Sequence, residues 1–221
     1  MGYEAGLPIL AQISQRLRRW PPAPVSPAAT RREAAVLVAL TESADPEVVL
    51  VKRAEHLNSH RGQVAFPGGM WEPGDASLLD TALRESEEEV ALPRGRVALI
   101  ARLPRRETRV GTPVTPYLAS VPPDLQLRPD PAELDAVFRV PITYLIDQRH
   151  LVSDRFEVGT EVQELPCYRY GEYRIWGFTL NVLVHFLNVG LGARLSFAYL
   201  HHRLPPELRA HLIELEEEYP Q

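Results

Sequence analysis

Residues 66–90 read FPGGMWEPGDASLLDTALRESEEEV. Glycines and prolines that interrupt regular structure give way to a stretch predicted as a helix, capped by Asp75 or Ser77 and ending near Leu92-Pro93. On that helix Glu85, Glu88 and Glu89 share one face, because residues three and four apart come into register, while Glu87 turns to the solvent side. Arg84 stands four residues before Glu88 and can hold its carboxylate in one rotamer. Three carboxylates this close raise one another's proton affinity unless cations lie between them. Hard divalent ions such as Mg²⁺ take oxygen ligands of this kind and bridge to substrate phosphates. The glycines ahead of the helix permit a tight turn, so that a backbone carbonyl of Gly68 or Gly69 can face the same ion. These residues together predict a metal cup.

Outward from this stretch, AAVLVAL (34–40) and EVVLVKR (47–53) are β-rich runs separated by a turn, a predicted hairpin, and QVAF (63–66) is a third strand. Beyond the helix, RVALIARL (96–103) and VTPYLASV (114–121) read as strands joined by an arginine-rich connection. AVFRVPITYLI (136–146) predicts a strand running into a short helix. CYRYGEYRIWG (167–177) places a turn between aromatic β-formers, and FTLNVLVHFLNVG (178–190) predicts a buried helix. At the N-terminus Leu7, Leu10, Ile13 and Leu17 recur near helical spacing before the linker PPAPVSP. The tail PPELRAHLIELEEEY predicts a helix with proline at its start. Strands before and after a central helix indicate a mixed α/β sandwich of the α+β class, not a doubly wound sheet. The expected division is 1–30 (helix and linker), 31–195 (main domain) and 196–221 (helical extension).

A chain of 221 residues with 45% hydrophobic content can bury a real core. No run approaches the ~18 apolar residues that span a bilayer, and the N-terminus lacks a basic start followed by an apolar stretch. The single cysteine, Cys167, cannot form an internal disulfide, which fits a reducing cytosol, so a cytoplasmic protein is expected. The net charge of −5 excludes a global basic field that would recruit nucleic acid, and no membrane contact is expected. Lys52 is the only lysine, a bias that GC-rich coding explains.

Gly69, Asp75 and the run Arg84-Glu85-Ser86-Glu87-Glu88-Glu89-Val90-Ala91-Leu92 resemble the Nudix box. Asp75 replaces its usual glutamate, with one extra residue before Arg84, and Ala91 replaces its late glycine. The preceding VVLVKRAEHLNSHRGQVAFPGG is similar to the leader of the coenzyme A pyrophosphatase branch, on Arg53, Ala54, Gly62, Phe66, Pro67, Gly68 and Gly69. Asn58 stands where that branch often has a second arginine. The resemblance spans roughly residues 34–190. It implies a Nudix fold, an α/β/α sandwich around a mixed β-sheet, and metal-assisted attack of water on a diphosphate. It further implies Mg²⁺ or Mn²⁺ held by Glu85, Glu88, Glu89 and the Gly68 carbonyl, with Arg84 orienting a carboxylate. The implied reaction cuts coenzyme A or an acyl derivative to 3′,5′-ADP and phosphopantetheine. Arg53 and Arg61 are candidates for its phosphates, His60 and Phe66 for further substrate contact, and the general base is a box glutamate or a loop acid. Alternatives are a Nudix hydrolase acting on ADP-ribose, NADH or a dinucleotide, and a non-catalytic Nudix-fold binding module.

Several residues carry plainer expectations. The tail cluster Glu214 to Glu218 reads as a solvated face. His56, His201 and His202 read as surface or packing histidines, Trp176 and Phe178 as core aromatics, and Cys167 as a small core residue. Arg102, Arg105, Arg106 and Arg109 read chiefly as a solvated connection, with substrate contact as the alternative. The N-terminal helix and the acidic tail are candidate surfaces for a homodimer.

Overall fold

The computed structural model describes residues 8–21, 32–57, 59–158 and 161–196. Most of the linker after residue 21, Asn58, His201, His202 and the tail with Glu214 to Glu218 lie outside the described residues. In chain order the elements are α1 (Ile9–Arg16), β1 (Ala34–Thr41), β2 (Glu47–Arg53), β3 (Val64–Ala65), β4 (Gly68–Met70) and α2 (Leu78–Val90). There follow β5 (Ala98–Arg102), β6 (Arg106–Glu107), β7 (Pro113–Val121), β8 (Leu134–Pro141), α3 (Ile142–Leu145), β9 (Leu151–Val158), β10 (Glu161–Tyr170), β11 (Tyr173–Trp176) and α4 (Gly177–Leu191).

The larger sheet runs β3-β2-β1-β7-β5, with β4 on β1, β6 on β7 and β8 on β2. β1 and β7 are parallel from Ala34↔Val114 to Thr41↔Val121, whereas β2, β4, β5 and β8 pair antiparallel, so the sheet is mixed as expected. Along β1 the side chains alternate. Ala35, Leu37 and Ala39 face α2 with Leu78, Ala82 and Val90, and Val38 and Leu40 face the opposite layer. That layer holds Ile13 and Leu17 beside Leu183, Phe186 and Leu187 of α4, so the N-terminal helix is built into the same core. Both faces of β1 are covered, which is why its sequence is a continuous apolar run without polar alternation.

Two features were not anticipated. Residues 151–170 form a long hairpin, β9 with β10, which β11 extends into a second three-stranded sheet. Its charged residues Asp154, Arg155 and Glu157 hide the strand pattern in the sequence. The connection after β5 is also more than solvated loop: β6 pairs with β7, Arg105 meets buried Glu33 at 2.8 Å, and Arg106 donates to His185 Nδ1 at 2.8 Å. Among the described residues no helix is long and apolar enough to cross a membrane.

Candidate active site

The helix of the opening stretch begins where its cap predicts. Ser77 Oγ accepts from the Asp80 amide at 3.2 Å, and Ala91 closes the helix in the left-handed conformation at φ 55°. Asp75, the other cap candidate, instead accepts from Arg84 Nε at 2.9 Å and Nη2 at 3.1 Å, from Thr81 Oγ1 at 2.8 Å and from the Glu72 amide at 3.1 Å. Burial opposes its ionisation, but the Arg84, Glu72 and Thr81 hydrogen bonds together hold its carboxyl below the usual range. With that side fixed, Arg84 Nη1 reaches Glu88 Oε2 at 2.9 Å and Glu85 Oε1 at 3.0 Å, and Nη2 donates to Met70 O at 3.2 Å. The hydrogen bond to Asp75 comes first among the causes that raise the Arg84 pKa. Arg84 is therefore a clamp between the turn and the helix.

β4 presents its outer edge to that helix. Leu37 N donates to Pro67 O and Trp71 N to Glu33 O, so alternation turns the polar groups of Gly68 and Met70 away from β1. The Gly68 amide donates to Glu89 Oε2 at 2.9 Å. Gly68 sits at φ 148°, and a Cβ there would lie 2.4 Å from Ala35 O. At Gly69 an added Cβ would meet the Glu85 carboxylate at 2.5 Å, so the missing side chain is what admits Glu85 against the strand. The glycines read as a turn thus form a strand, made of glycine because a sheet and a carboxylate close on it from two sides.

The three box glutamates do not form the single cup that helical spacing suggested. Among the described residues no three Asp, Glu, His or Cys side chains converge as a metal site. Glu85 and Glu88 turn to Arg84, whereas Glu89 points to Gly68 and to Arg53, whose Nη1 is 3.8 Å from Oε1. Each carboxylate has taken the nearest donor, which lowers the mutual repulsion. Neutralisation is nonetheless incomplete. Burial raises the Glu89 pKa to about 7; the Gly68 amide and Arg53 act against this, while Glu85 and Glu133 add to it. Burial likewise raises Glu85, with Glu88 and Glu133 adding to it against Arg84. Hard oxygen donors carrying surplus negative charge are a donor set that fits a divalent cation.

Glu133 was not singled out in the sequence, because it lies far downstream with no helical spacing to the box. Tertiary hydrogen bonds bring it in. Asp130 N donates to Glu89 O at 2.8 Å, Glu133 N to Asp130 O at 3.0 Å, and Ala54 N to Glu133 O at 2.9 Å. The segment before β8 is thereby strapped between α2 and the end of β2.

The upstream candidates separate. Arg53 reaches the site. His60 is exposed at φ 53°, with Nδ1 3.0 Å from Gln63 Oε1, and Arg61 is exposed without an ion pair among the described residues. Phe66 is only 2% exposed and packs in the core opposite α2, so the expected substrate contact gives way to a packing role. Trp176 stacks on Phe156 at 4.5 Å, and burial pushes the Cys167 thiol up to about 11, in line with core roles.

The NUDIX domain family model matches residues 30–158. The chain belongs to the Nudix family. This Nudix hydrolase is 39% identical over 154 residues to proteins described as the uncharacterized Nudix hydrolase NudL, from Salmonella paratyphi B and Salmonella newport; the match covers 69% of this chain and 80% of each relative. Its fold is similar to a solved NUDIX hydrolase from Alicyclobacillus acidocaldarius, with a TM-score of 0.52, 21% identity, and coverage of 74% of this chain and 94% of that one. The Nudix match takes in the leader, the box and Glu133 together.

Proposed function

We propose that this Nudix hydrolase is a Mg²⁺- or Mn²⁺-dependent diphosphatase that cuts the pyrophosphate bond of coenzyme A or acyl-coenzyme A. Its products are 3′,5′-ADP and (acyl-)4′-phosphopantetheine, and it works in the cytoplasm. The observation that carries this reading is the closure of α2 on the β4 edge: Gly68 N on Glu89, Gly69 under Glu85, and Arg84 between Asp75 and Glu88. Glu85, Glu88, Glu89 and the Gly68 carbonyl would hold the cation, which when bound supplies Lewis acidity and a lowered water pKa. Arg84 keeps Glu85 and Glu88 in place through Asp75. Arg53, Arg61 and His60 are the candidates for the substrate's phosphates and neighbouring groups. Glu133, held beside the box acids without belonging to the helix, would take the proton of the attacking water.

The coenzyme A preference is supported by the leader's resemblance and by its position: it runs from Arg53 through Phe66 directly into β4. A panel of nucleoside diphosphate derivatives with Mg²⁺, read by mass spectrometry of products, tests it. Release of 3′,5′-ADP from coenzyme A is expected. Preference for ADP-ribose, NADH or a dinucleotide would overturn the branch, and no turnover of any member would favour a binding module.

A further inference from the structure

Ahead of β8 the chain makes one turn, Asp130-Pro131-Ala132-Glu133, and Glu133 stands exposed at its end. Its charge reaches both Glu85 and Glu89. The backbone fixes where this turn begins and where it stops. Arg128 N donates to Val90 O at 3.0 Å and Asp130 N to Glu89 O at 2.8 Å, so two carbonyls at the C-terminal end of α2 hold the entry. Ala54 N donates to Glu133 O at 2.9 Å, and Leu134 is buried at the start of β8, which holds the exit. Two side chains complete the turn between those anchors. Asp130 Oδ1 accepts from Ala132 N at 2.9 Å, the bond an aspartate makes to the backbone two residues on. Pro131, which comes between, has no amide to leave unmet and a backbone angle suited to a turn. From the leader, His56 Nε2 lies 3.1 Å from Ala132 O; a carbonyl only accepts, so the ring nitrogen carries the proton and donates. Both side chains are exposed, where a hydrogen bond adds little to stability. Yet together they grip Ala132 by its amide and its carbonyl, and Ala132 is the residue that aims Glu133.

We propose that Asp130 and His56 are positioning residues that hold the Glu133 carboxylate at the box acids, the first from the end of α2 and the second from the leader after β2. This rests on the reading of Glu133 as the group that takes the proton of the attacking water, and deepens it by naming what fixes its place. Misplacing a reacting group by about 1 Å costs on the order of 100-fold in rate, while a substrate bound elsewhere in the site is held as before. The role asks Asp130 for an oxygen acceptor and not for a charge.

The test uses the full chain with Mg²⁺, on whichever of coenzyme A and ADP-ribose it cuts. Asp130→Ala should lower kcat roughly 10–100-fold at nearly constant KM, and Asp130→Asn, which keeps the acceptor, should restore it. His56→Phe should lower kcat by a smaller factor. Glu133→Gln should cost about 10²–10⁴-fold, and adding Asp130→Ala to it should cost nothing more, because the group being positioned is already lost. Without substrate, amide exchange at Ala132 and Glu133 should quicken in Asp130→Ala and return to the wild-type rate in Asp130→Asn. Unchanged kcat or unchanged exchange in Asp130→Ala, or a full further loss on the Glu133→Gln background, overturns this inference alone. Near-wild-type turnover by Glu133→Gln overturns the role given to Glu133 and the inference with it. A wild-type chain that cuts neither substrate overturns the diphosphatase reading of the whole site.

Discussion

Two helices cover opposite faces of one sheet, and they treat charge in opposite ways. α4 is buried along most of its length and carries one titratable group, His185, which burial first and then Arg106 and Arg19 keep neutral, with a pKa lowered to about 3. α2 buries one face just as well, through Leu78, Ala82 and Val90, yet also holds Glu89 at 4% exposure next to Glu85 and Arg84. The α4 layer pairs its few polar groups, Arg106 donating to neutral His185 Nδ1 at 2.8 Å and Thr179 Oγ1 to Val64 O at 2.9 Å. The α2 layer keeps carboxylates under-neutralised, an arrangement that stability by itself would remove. The difference teaches where stability and function have been separated in this molecule.

The largest expected effect would sharpen that contrast from the α4 side. Phe186→Ala should cost about 3–5 kcal/mol, the cavity cost of a fully buried aromatic, measured by denaturant unfolding. The fraction that stays folded should turn over substrate normally. On the α2 side, Glu88→Gln and Glu89→Gln should each lower turnover by about 10²–10³-fold, as for loss of a charge-stabilising group, with the fold retained by circular dichroism. Near-wild-type turnover in both would break the comparison.

Next in size is pH. Glu89 is raised from 4.5 to about 7 in the folded chain, so it keeps a proton that the unfolded chain has lost, and stability falls as pH rises from 4.5 to 7. His185 is lowered from 6.5 to about 3, so its contribution is lost as pH falls through the same region. The two slopes oppose each other, at about 1.4 kcal/mol per pH unit each. Glu89→Gln should remove one of them and leave stability rising with pH up to 6.5, read from unfolding free energies across a pH series. An unchanged profile would show that Glu89 is not the buried acid described here.

The smallest effect lies at the helix end. Ala91 is left-handed at φ 55°, where glycine pays no steric cost. Ala91→Gly should therefore stabilise by roughly 0.5–1 kcal/mol, the left-handed penalty less glycine's greater unfolded-state entropy. Turnover should not change.

Much of this was legible in residues 34–121, because β1, β2, β3, β5 and β7 are short apolar runs with clear breaks and α2 carries its own cap and stop; β4 and β6, made of glycines and of charged residues, were not. The β9–β10 hairpin was not, since its charges mask the alternation. Arg84 with Glu88 followed from helical spacing, but the Asp75 clamp did not, because nothing local tells a buried partner from a cap. Phe66 was misjudged: a motif marks a position in the chain, and burial decides which way its side chain faces.

By itself the sequence determined the family, the class of fold and the one helix on which the acids stand, all of which depend on local spacing and turn chemistry. Only the tertiary structure decided that Glu89 faces Gly68 and Arg53, that Glu85 fits because Gly69 lacks a side chain, and that Glu133 joins them. Those relations cross between strands, loops and a helix far apart in the chain. They are set by which groups must satisfy one another once water is excluded, and no periodicity along the sequence encodes that.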